Sequence, residues 1–179
     1  MTRLIFTALF SSIILAIGLN AAAYEKPKIR KPAQSTLKLK HCESEIDCTF
    51  SGKQVVTGTF EVFIHSYSNE DSTCTVFSED CFDISFYPST FKEIPYFNEY
   101  MPDRIDILNK MTALKLLTNN KIMKDIQEKK ISGLRGNATV VITQYATGIA
   151  CDHGYSIAHI SEVKSKDRLI MKNAGEQGC

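Results

Sequence analysis

Residues 52–63 read GKQVVTGTFEVF, and the alternation continues through Ile64 and His65. Val56, Gly58, Phe60, Val62 and Ile64 fall on one face at period two, with Thr57, Thr59, Glu61 and His65 opposite. Strict alternation over this length is the signature of a long half-buried β-strand. Gly58 inside it predicts a bulge or a sharp coil that bends the strand between two faces of a curled sheet. Moving outward, the polar run 66–73 turns the chain and a second strand is expected around Thr75 to Phe77. Phe82, Ile84 and Phe86 then alternate with Asp83, Ser85 and Tyr87, a further half-buried strand.

The next stretch, 86–102 (FYPSTFKEIPYFNEYMP), holds three prolines and six aromatic residues. The prolines exclude regular structure, so a rigid aromatic loop is expected. Asp103 after Pro102 is placed to cap a helix carrying Ile107, Met111, Leu114 and Leu117. Asn119-Asn120 interrupts it, Ile122, Met123 and Ile126 mark a second short helix, and Ser132-Gly133 closes the helical region. Residues 138–145 (ATVVITQY) form a β-branched run suited to burial on both sides. Residues 148–154 turn it, 155–163 (YSIAHISEV) return as its partner, and Leu169 to Met171 add an edge strand.

This order is strand-strand-strand-helix-strand-strand, a mainly β fold with a helical insert (α+β). The segments GKQVVTGTFEVF, GNATVVITQYATG (136–148) and YSIAHISEV resemble the first and last strands of small exported bacterial OB-fold proteins. The resemblance implies an OB-like five-stranded barrel over about two thirds of the mature chain. It also implies a ligand, whether oligonucleotide, oligosaccharide or peptide, bound across one barrel face. Fold likeness bears on function only as analogy.

The N-terminus gives an address. Arg3 precedes an uncharged, mostly apolar run from Leu4 to Leu19, and Asn20-Ala21-Ala22-Ala23 offers a small-residue cleavage site. The run is shorter than the roughly twenty residues a spanning helix needs. Residues 1–23 are therefore expected to be a signal peptide, 24–35 an extended basic lead-in, and 36–179 a single disulfide-stabilised domain, secreted or periplasmic after cleavage near Ala23. The chain of 179 residues carries 21 Lys+Arg against 20 Asp+Glu, and loss of Arg3 would balance them. Such neutrality argues against nucleic acid or an anionic membrane as partner.

All six cysteines lie beyond the cleavage site, and an even number in an oxidising compartment reads as a disulfide framework. Their spacing favours Cys42–Cys48, Cys74–Cys81 and Cys151–Cys179, the last anchoring the tail. A nested pairing such as Cys48 with Cys74 is the alternative.

Catalytic and metal signals are sparse. No G-x-S-x-G elbow occurs, paired sulfurs leave no thiol nucleophile, and Arg104 and Arg135 lack the carboxylate set of a calcium nuclease. Cys151, His153 and His159 lack the tight ligand pairs of a zinc site. The acids Glu70, Asp71, Glu79, Asp80 and Asp83 lack a calcium-loop spacing and read as a solvated region. The Asn137-Ala138-Thr139 sequon opens a strand expected to be buried. No catalytic residue, metal or cofactor is therefore expected.

The aromatic loop is the best candidate for binding. Tyr87, Phe91, Tyr96, Phe97 and Tyr100 present rings suited to stacking on a sugar or docking a protein. The competing reading has Phe91, Ile94 and Phe97 plugging a barrel end. The expected function is a non-catalytic binding module for an oligosaccharide or a protein, against a secreted hydrolase or an inhibitor or toxin-subunit type protein.

Overall fold

A computed structural model describes residues 26–44, 46–65, 78, 81–128, 130–167 and 169–173. The expected signal peptide, the expected strand around residues 75–77 and most of the acidic loop lie outside them. The chain is mainly β with two short helices. In order it forms β1 (Ile29–Arg30), β2 (Lys38–Ser44), β3 (Asp47–Ser51), β4 (Lys53–Ile64), β5 (Phe82–Pro88), β6 (Tyr96–Phe97) and β7 (Ile105–Ile107). Helices α1 (Lys110–Leu117) and α2 (Asn120–Gln127) follow, then β8 (Ile131–Ala150), β9 (His153–Lys166) and β10 (Ile170–Asn173).

β4 is the alternating strand with which the sequence reading begins. Gln54, Val56, Gly58, Phe60 and Val62 face inward and their neighbours outward or to the half-buried rim. Its ladders with β5 and β8 run without a register shift, so Gly58 marks no bulge. It marks a close approach instead, because a Cβ there would lie 2.1 Å from the Tyr87 carbonyl oxygen. β3 and β4 lie end to end along one edge of β8, broken at Gly52, whose φ of 107° suits only glycine.

β8 is the spine of the sheet, paired with β4 and β3 on one edge and with β10 and β9 on the other. It is longer than the expected 138–145 strand and takes in Ser132-Gly133, which extend the β4 and β10 ladders rather than close a helix. The turn expected over 148–154 contracts to Cys151-Asp152, both left-handed (φ 48° and 63°), the backbone of a two-residue hairpin. β10 occupies the edge position expected for residues 169–171.

Ile105–Ile107 corrects the helical expectation. Ile105 and Ile107 are buried with Asp106 between them, the period of a strand, and they pair antiparallel with β5 and parallel with β9. The helix begins later, at Lys110, and Asp103 caps nothing. Asn109 stands before it but directs its amide to β9, accepting from the Ile160 N–H (2.9 Å) and donating to its carbonyl (2.8 Å). At the other end of α1, Lys166 donates to the Leu116 and Thr118 carbonyls, satisfying orphan helix acceptors.

Pairing therefore runs β4–β5–β7–β9–β8 and returns to β4. Phe60, Phe86, Ile84, Ile105, Ile107, Val140, Ile142 and Ile160 fill the core between these strands, joined by Leu114 and Leu117 of α1. The lead-in is not wholly solvated: Ile29 and Arg30 pair with Phe97 and Tyr96; just beyond it, Leu37 is fully buried.

Cys42 and Cys48 face each other across the β2–β3 hairpin, Cα atoms 4.0 Å apart, and are bonded. Cys81 is disulfide-bonded, while its expected partner Cys74 lies outside the described residues. Cys151 is a free, exposed thiol. It stands at the hairpin tip, and Cys179, the partner expected for it, lies outside the described residues. Among the described residues no helix is long and apolar enough to cross a membrane.

Candidate functional site

The outward face of β4, β5 and β7 is a ladder of rows fixed by register. Thr59 stands opposite Tyr87, Glu61 opposite Ser85, and Phe63 opposite Asp83. Asp106 continues the Glu61–Ser85 row on β7, and Arg135 of β8 begins it. All of these except Thr59 and Arg135, together with Arg104, Leu108 and Lys110, border a cleft of about 620 Å³. Inward neighbours Phe60, Val62, Ile84, Phe86, Ile105 and Ile107 anchor each strand in the core. The face therefore stands on a packed scaffold.

Its charges are paired within the face. Arg135 meets Glu61 at 3.3 Å, Lys110 meets Asp83 at 2.8 Å, and Arg104 meets Asp106 at 2.8 Å. Ser85 also donates to Asp106 (3.1 Å), and His65 Nε2 lies 3.0 Å from Asp83. The Lys110 ammonium, hydrogen-bonded to Asp83, holds that carboxyl below its ordinary range against the opposing effect of burial, and His65 adds to the lowering. Asp106, and secondarily Tyr87, push the Arg104 guanidinium further toward its charged form. Phe63 is 56% exposed and meets His65 edge-on, ring centres 5.4 Å apart.

A second cleft of about 480 Å³ is bordered by Arg30, Pro88, Phe91, Tyr96, Met101 and Asp103 among others. Arg30 donates to the Tyr96 hydroxyl (2.7 Å), and Phe91 packs edge-on to Tyr96 with ring centres 6.2 Å apart.

The five aromatic candidates separate accordingly. Tyr87 is half-buried in the larger cleft, while Phe91, half-buried, and Tyr96, 7% exposed, border the smaller one. Phe97 is a core residue, as is Ile94. Tyr100 is half-buried, hydrogen-bonded through its N–H to the Phe97 carbonyl. Sequence reasoning passed over Phe63, Glu61, Arg104, Asp106 and Lys110. One signal was present: Phe63 interrupts the polar face of an otherwise clean alternation.

Asn137 is exposed on β8 and accepts from Thr59 (2.9 Å), so the sequon is not buried as expected. His153 Nδ1 lies 2.7 Å from the Cys151 carbonyl. Among the described residues no group of three or more His, Cys, Asp or Glu is placed to hold a metal ion. Comparison with family models, with curated proteins and with solved structures finds no match.

Proposed function

We propose that the chain is an exported, non-catalytic binding module on an OB-like five-stranded barrel, holding an extended ligand across the outer face of β4, β5 and β7. The barrel reading draws support from the closed path of pairings, from the parallel contact between β7 and β9, and from helices placed between third and fourth strands. Strands two and three of such a barrel are where OB-folds take extended ligands, and β5 and β7 hold that place here. Export is supported by the composition of residues 1–23 and by the Cys42–Cys48 bond.

The observation that carries the reading is the 620 Å³ cleft on this face, where Tyr87 and Phe63 stand beside partnered charges. The ligand is an oligosaccharide or a protein partner; the balance of acids and bases weighs against nucleic acid.

The test is capture from envelope extract and on a glycan array, comparing the mature chain with Ser85→Arg. Ser85 sits in the central row, so an arginine there fills the cleft without entering the core. Capture by the parent chain and its loss in the variant is the expected result. Equal capture by both would place binding elsewhere.

A further inference from the structure

We infer that the ligand of the β4–β5–β7 face is an uncharged linear oligosaccharide, gripped by Phe63 and Tyr87 at its ends and by the Glu61–Ser85–Asp106 row between them. This rests on the reading of that face as the binding site and specifies what it takes.

The first argument is charge. The face carries the carboxylates of Glu61, Asp83 and Asp106 and the cations of Arg135, Lys110 and Arg104, each acid meeting one of these cations and Asp83 also His65. An anionic polymer would meet the three carboxylates Glu61, Asp83 and Asp106 in the cleft, and a cationic one the two cations Arg104 and Lys110, with Arg135 beside Glu61 on the same face. A neutral polyhydroxylated chain meets neither penalty and uses both signs. Each ion pair presents acceptors and donors in fixed relative positions, which suits neighbouring hydroxyls. The Arg104 and Asp106 side chains are 53% and 48% exposed, so their polar atoms can be reached without breaking the pair.

Spacing supplies the second argument. Phe63 lies in the Asp83 row and Tyr87 in the Thr59 row, two rows apart on adjacent strands. Four residues of strand separate those rows, roughly 14 Å, the span of about three to four pyranose rings in a linear chain. Both rings sit on the outward side of the sheet, where the flat face of a sugar can stack with little loss of side-chain entropy. Protein partners favour the opposite distribution, an apolar centre poor in charge within a polar rim. Here two of the three ion pairs, Arg135–Glu61 and Arg104–Asp106, occupy the central row and the aromatic rings stand in the rows that flank it.

The experiment is calorimetric titration of the mature chain with cello-, chito- and malto-oligosaccharides of two to six units, and with oligogalacturonates as anionic counterparts. In at least one neutral series, affinity is expected to rise about tenfold from dimer to tetramer and then level off. Tyr87→Ala and Phe63→Ala should each weaken tetramer binding about tenfold. Tyr87→Phe should retain it, and Thr57→Val, outside the cleft, should leave it unchanged. Thermal melting checks that each variant is folded. Failure of every neutral series, tighter binding of the galacturonates, or indifference to both alanine substitutions would overturn the assignment. If the sugars fail while Ser85→Arg still abolishes capture from extract, the ligand class falls and the face stands. If Ser85→Arg changes nothing, the face falls as well.

Discussion

Tyr145 shows how one side chain can tie three segments together. Its ring is fully buried, and its hydroxyl donates to the Pro95 carbonyl (2.7 Å) and lies 2.8 Å from the Ser156 hydroxyl, which in turn donates to Thr147. The left-handed Gln144 (φ 50°) and the register shift between Thr143 and Ala146 re-aim the strand so that the ring points inward. Burial pushes the Tyr145 phenol up to about 12, the hydrogen bonds opposing only in part. A folded pKa above the ordinary phenol value near 10 contributes stability that is complete below pH 10 and lost as pH rises through 12. Stability should therefore fall by about 2 to 3 kcal/mol across that window on account of this group alone. Tyr145→Phe should be less stable at pH 8 by about 1 to 2 kcal/mol yet show a shallower alkaline decline, measured by urea denaturation at a series of pH values. An unchanged alkaline slope would mean that the phenol is not desolvated as described.

Among the elements, β7 carries the greatest consequence for its length. It spans only Ile105–Ile107, yet it bridges β5 to β9 and sets Asp106 in the candidate face. Asn109 extends the contact by imitating a strand residue with its side-chain amide, pairing with both backbone groups of Ile160. Asn109→Ala would leave that N–H and carbonyl without their partner, at a cost of about 2 to 3 kcal/mol. Chemical denaturation should show this loss, and hydrogen exchange should show faster opening at Ile160 and Leu108, the latter donating to Ala158. Stability within about half a kcal/mol of the parent would mean that β7 docks without the amide.

Strands with a period of two over many residues were legible in the sequence for a physical reason. In β4, β5 and β9, burial alternates with the side chain, so composition records the face. The same logic fails for β7. Three residues are too few to display a period, and Ile107 fits the helical spacing of Met111, Leu114 and Leu117 as well as it fits a strand. The β2–β3 hairpin was equally hidden: β2 is largely exposed on both faces and its pairing is held in part by the Cys42–Cys48 bond. The candidate face was legible only through Tyr87, because charged pairs such as Arg104–Asp106 and Lys110–Asp83 become a site only when β7 and α1 are brought beside β5. Aromatic content misdirected the rest. Tyr96 and Phe97 are apolar enough to serve the core, and β6 turns them inward against the lead-in and β8.

At the scale of the whole molecule, a neutral chain presents a neutral face. The near balance of 21 bases and 20 acids recurs locally as three ion pairs on one face, on strands whose other sides build the core. A rigid sheet presents these groups at little cost in ordering, which favours a preformed site. The β2–β3 hairpin meets β8 beyond the end of β4, away from the Glu61–Ser85–Asp106 row, so it serves as an internal reference when binding is mapped. The most direct measurement is amide shift mapping by two-dimensional NMR of the mature chain during titration with cellotetraose, chitotetraose and maltotetraose. Saturable shifts with at least one tetramer, concentrated at Glu61, Phe63, Ser85, Tyr87 and Asp106 and absent from Cys42 to Phe50, are the predicted result. Shifts centred on Phe91 and Met101 or on the β2–β3 hairpin, or no saturable shift with any of the three, would contradict it.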